Sequence, residues 1–254
     1  MPPPPPRSPA FVAGWAGSVA AFATAAGRRS PDHPLRQRRL VARRRPTGPA
    51  VAIRRTAAPR ASVAAADEVD PGAVPGTDLR IVRYPSPILR APNAEVTSFD
   101  ADLAALAKGM FKVMYAANGV GLAAPQVGAN VRMMVWNPDG DARKWLSEKV
   151  LVNPRVVSWG KDTAVDIEGC LSFPGMNGLV RRSTSVKVEG QNLKGKPIKM
   201  KLSGWQAVIF AHEYDHLDGV LYVDRLVEGE REKEEVGGRL RQLVEEYEGD
   251  DPAL

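Results

Sequence analysis

The sequence predicts an α+β domain: mostly antiparallel strands around one central helix, with a further helix at the C-terminus. Three observations predict it. Trp205–Leu217 is free of Pro and carries an apolar stripe at helical spacing. Five short segments elsewhere are apolar or alternate apolar with polar residues, and turn-forming residues bound them. Finally, Glu228–Glu248 is highly charged but sets Leu240, Leu243, Val244 and Tyr247 on one side, as an amphipathic helix does.

The chain has 254 residues, and its +6 net charge is unevenly spread. Residues 1–66 hold twelve arginines, no lysine and one acid, Asp32, a net of +11. The remaining 188 residues hold 23 Lys plus Arg and 28 Asp plus Glu, a net of −5. The folded part is thus mildly acidic, and the overall basic balance is no argument for nucleic-acid binding. Pro-, Ala- and Arg-rich composition without apolar periodicity marks residues 1–76 as a segment that builds no core. Rich in Arg and poor in acids, it reads as an organellar transit peptide. Ala10–Ala26 is apolar but short and rich in Ala and Gly, so no membrane span is expected. Acids first cluster at Asp67-Glu-Val-Asp70, Pro-Gly pairs follow, and the catalytic domain is placed at 77–254.

The elements follow in order. Leu79–Tyr84 alternates and is followed by Pro85 and Pro87, an edge strand or extended arm. Ser98 or Asp100 opens a helix to about Ala117, with Leu103, Leu106, Ala107, Met110, Phe111 and Met114 on its buried stripe. Asn118–Gly128 is rich in Gly and Ala, so its backbone can approach a ligand closely. It lacks the Lys-Ser/Thr that a phosphate loop needs. Val131–Trp136 is a strand before an Asn137–Gly140 turn, and Val150–Val157 is another, broken at Pro154. Thr184–Glu189 and Lys196–Leu202 form a hairpin around Asn192–Gly195. Val220–Val223 is a short strand or turn.

The chemistry centres on His212-Glu213-Tyr-Asp-His216. Ser203 is placed to cap this helix and Gly219 to end it. Trp205, Val208, Ile209, His212 and His216 fall on one stripe, so two imidazoles one turn apart can reach one metal ion. Glu213, about 100° around the helix, can reach a water beside that metal. A catalytic metal of this kind takes three protein ligands and leaves one position open. Downstream, Tyr222 stands where some metallopeptidases carry a third His, and tyrosine is a poor tight ligand. A glutamate of the last helix, Glu234 or Glu235, is one candidate. Cys170, the one cysteine and so unable to form a disulfide within the chain, is another.

Three stretches together resemble the signature motifs of peptide deformylases: Gly119-Val-Gly-Leu-Ala-Ala-Pro-Gln126, Glu168-Gly-Cys-Leu-Ser172 and His212-Glu-Tyr-Asp-His216. The resemblance spans roughly residues 77–226. With the import-like head it is similar to the eukaryotic organellar type. Cys170-Leu-Ser-Phe-Pro-Gly175 resembles chloroplast and bacterial members, whereas Ser203-Gly-Trp-Gln-Ala207 and His216–Asp224 resemble mitochondrial ones.

The resemblance implies an enzyme that removes the formyl group from the N-terminal methionine of nascent organellar polypeptides and releases formate. It implies Cys170, His212 and His216 as metal ligands, with Fe²⁺ as the metal and Zn²⁺ as the alternative. Glu213 would be the general base and acid. The Gln126 amide and the Leu171 backbone N–H would stabilise the oxyanion. Substrate backbone would lie along Val120, Gly121 and Gly169, and Trp205, Val208 and Ile209 with Val120 would hold the methionine side chain. The chloroplast is the expected compartment, with the mitochondrion as the alternative, and the organellar ribosome is a further expected partner. No direct contact with nucleic acid or membrane is expected. Two other functions fit the same helix: a zinc metallopeptidase using a C-terminal-helix Glu, and a non-catalytic binding module stabilised by a metal clip.

Overall fold

A computed structural model describes residues 70–249 and 251–254. The expected transit segment lies outside the described residues except for 70–76. The architecture is α+β, as the sequence predicts. In chain order the elements are α1 (Ala101–Ala116), β1 (Gly121–Ala123), β2 (Met133–Trp136), β3 (Lys149–Trp159), β4 (Thr163–Gly169), β5 (Asn177–Ser183), β6 (Ser185–Gln191), β7 (Pro197–Ser203), α2 (Trp205–Leu217) and α3 (Glu234–Glu245). One sheet runs β1-β2-β3-β6-β7, and β4 and β5 form a separate two-stranded sheet. All pairings between these strands are antiparallel.

Helices on opposite faces explain why β2 reads as a continuous apolar run. Met133 and Val135 face α1 and pack with Met110, Val113 and Met114. Met134 and Trp136 point the other way and pack with Ala207, Ile209 and Phe210 of α2. The two-residue strand period thus feeds two cores at once, and all four β2 residues are buried. A third core joins Tyr84, Phe173 and Val180 to Val236, Leu240 and Leu243 of α3.

The structure corrects several sequence expectations. Of the two forms expected for Leu79–Tyr84, edge strand or extended arm, the structure has the arm. It is tied down where the Val82 N–H donates to the Gln126 carbonyl (2.8 Å) and the Tyr84 N–H to that of Ser172 (2.9 Å). Strand β3 passes through Pro154 unbroken, because a register shift between Val152 and Arg155 removes the need for an N–H there. Asn153 takes φ +48 at that bulge, and its side-chain amide donates to the Val96 carbonyl at 2.9 Å. Gly204, at φ +57, precedes α2 in place of a capping Ser203, which is the last residue of β7. Helix α3 starts at Glu234 and not Glu228. The turn before it is held by Gly229 at φ +82 and by the Glu230 carboxylate, which accepts from the Leu179 N–H at 3.0 Å. For Val220–Val223, expected as a short strand or turn, the structure has the turn, a 3-10 helix at Tyr222–Asp224. Strands β1, β4 and β5 have no counterpart in the sequence reading.

Candidate functional site

Helix α2 sets His212 and His216 on successive turns, with ring centroids 5.2 Å apart. It stops where Gly219 takes φ +70 and the Val220 N–H donates back to the Asp215 carbonyl at 2.9 Å. Cys170 arrives from the other side, on the turn that follows β4. Its carbonyl accepts from the Phe173 N–H at 2.8 Å, and its Sγ lies 3.3 Å from His216 Nε2. Ligand atoms of Cys170, His212 and His216 all lie within 4.8 Å of one another. The three residues are buried.

The charges around this group favour a cation. Burial pushes the Cys170 thiol up, against a hydrogen bond with His212. Burial works against a charged His212, but the hydrogen bonds to Cys170 and Glu168 outweigh it and raise the ring well above the usual histidine range. Glu168 and Cys170 thus place hydrogen-bond partners on both sides of the His212 ring. His216 goes the opposite way: burial first, then the charges of His212 and Arg182, holds it well below that range, so its lone pairs stay available. One soft thiolate donor and two imidazoles suit Fe²⁺ or Zn²⁺.

A buried ionic chain fixes the ligands from behind. His212 Nδ1 lies 2.9 Å from Glu168 Oε2, which leaves Nε2 to face Cys170. Arg182 Nε and a terminal nitrogen donate to the two Glu168 oxygens at 2.8 and 3.0 Å, and its other terminal nitrogen pairs with Asp215 of α2. Burial alone would raise the Glu168 pKa, but hydrogen bonds from His212 and Arg182 outweigh it and bring it down to about 2. Glu168 and Asp215 both sit within the motifs quoted above but were given no role there, and Arg182 lies outside them.

A cleft opens onto the metal-ligand group. Val120, Gly121, Gln126, Gly169, Cys170, Leu171, Trp205, Val208, Ile209, His212 and Glu213 all line it. Every site residue expected from the sequence is therefore on its wall except His216, which lies behind. Asn118, Gly119, Ile167 and Glu168 line it too, and the sequence reading gave them no role. Gln126 is fixed by its own loop. The Ala123 N–H donates to its Oε1 at 2.8 Å, which turns Nε2 toward Cys170 Sγ (3.4 Å) and Ser172 Oγ (3.3 Å). The Glu213 carboxylate lies against Gly121, where a Cβ would come within 2.9 Å of Glu213 Cδ. Trp205 is 41% exposed at the rim, its indole N–H donating to the Pro138 carbonyl at 3.3 Å. Tyr222, the residue in the downstream third-ligand position, packs in the third core with its hydroxyl donating to the Met176 carbonyl at 3.3 Å. Glu234 pairs with Arg241 at 3.0 Å on the exposed side of α3.

Comparison with known proteins agrees with this geometry. The family model for polypeptide deformylase matches residues 78–232. The chain belongs to the polypeptide deformylase family. It is 50% identical over 148 residues to peptide deformylase 1B, chloroplastic, of Oryza sativa subsp. japonica, covering 58% of this chain and 55% of that one. It is 47% identical over 152 residues to peptide deformylase 1B, chloroplastic/mitochondrial, of Arabidopsis thaliana, covering 60% and 55%. The chain spans about half the length of these plant relatives. Among solved structures, a plant peptide deformylase PDF1B superposes with a TM-score of 0.66 at 42% identity, covering 70% of this chain and 96% of that chain. The deformylase fold therefore accounts for the arrangement described, with β1, β4 and α2 meeting at the cleft.

Proposed function

We propose that this chain is a metal-dependent peptide deformylase that removes the formyl group from N-terminal methionine of nascent polypeptides. The observation that carries the reading is one buried Cys170–His212–His216 group, of which Cys170 and His212 line a cleft together with Glu213 and Gln126. Cys170, His212 and His216 would hold the metal, Fe²⁺ first and Zn²⁺ second. A divalent ion there supplies Lewis acidity, which acidifies a water and polarises the formyl carbonyl.

The chain's own residues do the rest. Glu213, buried beside Gly121, takes the proton of the attacking water and hands it to the leaving amine. The Gln126 amide, already turned into the cleft, and the Leu171 backbone N–H donate to the developing oxyanion, each worth about 2.7–4 kcal/mol. Strands β1 and β4 each pair along one edge only, so substrate backbone can lie beside Val120, Gly121 and Gly169 as an added strand. Val208, Ile209 and Trp205 with Val120 form the wall that receives the methionine side chain.

Residues 1–76 act as the import signal and 77–254 as the catalytic domain, and the compartment is the chloroplast. The plant relatives named chloroplastic and the arginine-rich head support this. A fluorescent fusion of residues 1–76 should enter plastids; retention in the cytosol would overturn that assignment. The reaction is tested by offering formyl-Met-Ala-Ser and its unformylated form side by side. Formate from the first with the peptide bonds of both intact is expected. Peptide-bond cleavage in either would make the chain a peptidase.

A further inference from the structure

The −5 balance of the folded part conceals a strongly basic surface. On the strands β3, β6 and β7 the inward positions, among them Val186, Val188 and Leu202, pack on α2. Beyond Val150 and Val152, which pack against α1, the outward positions face solvent and carry exposed Arg155, Lys187, Lys199 and Lys201. The β6–β7 turn adds exposed Lys194 and Lys196. Against these six cations the outward positions of the three strands offer one carboxylate, Glu189. Lys199 takes it at 2.7 Å while remaining 80% exposed, and Arg155 stands opposite it in register. Among the described residues, no salt bridge engages Lys187, Lys194, Lys196, Lys201 or Arg155.

The register sharpens the point. Lys187 lies directly opposite Lys201 across the β6–β7 pair. Like charges facing each other destabilise a sheet. Lysines on β7 have a structural reason, because β7 is a sheet edge and charge there blocks edge-to-edge association. That reason does not extend to Lys187 on the inner strand β6, or to Arg155 on β3. An array of cations of this kind suits a polyanion.

We infer that the outer face of β3, β6 and β7 docks on helical RNA through its phosphate backbone. Lysines are point charges that contact phosphate without reading base sequence. The exposed outward neighbours, Ser158 opposite Lys187 and Ser203 at the end of β7, carry hydroxyls that hydrogen-bond phosphate and ribose oxygens. A lipid surface would call for a row of inserted large apolar side chains between the cations; β6 and β7 expose none, and on β3 these are limited to Val157 at the bulge beside Ser158 and Trp159, whose ring also meets Phe210. Helix α2 packs on the opposite face of the same strands, so RNA bound here leaves the cleft open to a peptide. The inference rests on the deformylase reading for its choice of RNA, since nascent chains emerge from an RNA-rich machine. It departs from the expectation drawn from overall charge, which averages over the whole domain.

The test compares the full-length chain with its K187Q/K199Q/K201Q variant, using a fluorescent RNA duplex of about 20 base pairs. Both carry the same arginine-rich head, so their difference reads the sheet alone. The variant should bind about tenfold or more weakly at about 0.1 M salt, with a salt slope shallower by about 3. Equal affinity and slope would overturn the assignment. Acetylation footprinting locates the contact independently: RNA should protect Lys187 and Lys201 in the wild-type chain. Protection confined to other lysines, or produced by anionic phospholipid vesicles and not by RNA, would also overturn it. Formate release from a short formyl-Met peptide is read in parallel and should be equal in both proteins. Its absence from both would overturn the deformylase reading and leave the RNA result standing by itself.

Discussion

Glu168 Oε2 sits 2.9 Å from His212 Nδ1, and the same carboxylate is gripped by Arg182. This contact sets the tautomer of a metal ligand and aims its other nitrogen at Cys170. Partners of this kind typically account for 10–100-fold in metal affinity. Glu168→Gln should therefore bind Zn²⁺ about 10–100-fold more weakly in a chelator competition. Unchanged affinity would mean that the helix alone orients His212.

Arg182 joins β5 to α2 through two buried carboxylates. It is 8% exposed, and its removal leaves Glu168 and Asp215 without their shared cation. Breaking a buried pair from one side costs about 3–5 kcal/mol. Arg182→Met should lower unfolding stability by about that amount in a urea titration with the slope unchanged. A loss below about 1 kcal/mol would show that water or Arg225, which lies 3.0 Å from Asp215, takes over the role.

Much of the candidate site was legible because it falls in three short stretches, within each of which the residues stand at telling intervals. His212 and His216 share a helix face, and the Cys170 motif lies within one turn. The network behind them was not legible. It needs β4 paired with β5, and β5 (Asn-Gly-Leu-Val-Arg-Arg-Ser) mixes a glycine with adjacent arginines that obscure the alternation. The start of α3 was misread for a different reason. Glu228–Lys233 has strong helix formers, but the tie from Glu230 to Leu179 prevails over local preference. Likewise the two-faced burial of β2 is visible only once α1 and α2 are placed on either side of it.

Gly121 leaves room for the Glu213 carboxylate. A methyl group there would fall 2.9 Å from Cδ and 3.0 Å from Cγ, so Glu213 must move. Displacement of a catalytic group by about 1 Å can cost about 100-fold in rate. Gly121→Ala should lose about that factor in kcat while keeping a full complement of metal. Loss of metal together with activity would place the damage at the ligands instead.

Tyr115 provides a pH signature remote from the cleft. Its hydroxyl donates to Glu148 at 2.8 Å and accepts from the Asn137 amide at 2.9 Å. Burial first, then the Glu148 carboxylate, pushes its pKa up to about 12, against the hydrogen bond from Asn137. The folded chain thus holds this proton more tightly than the unfolded chain, whose phenols ionise near pH 10. The stability it contributes is complete below about pH 10 and is lost as pH rises toward about 12. The stability difference between the wild type and Tyr115→Phe should shrink across that window. A difference that stays constant from pH 9 to 12 would contradict the assignment.

In the proposed reaction Glu213 moves the proton at a metal held by Cys170, His212 and His216. The most direct measurement is formate release from formyl-Met-Ala-Ser by Glu213→Gln loaded with Fe²⁺ under anaerobic conditions. One metal per chain with release reduced at least 100-fold is the result expected of a general base. Release at the wild-type rate with metal fully bound would contradict the account and send the search for the base elsewhere in the cleft.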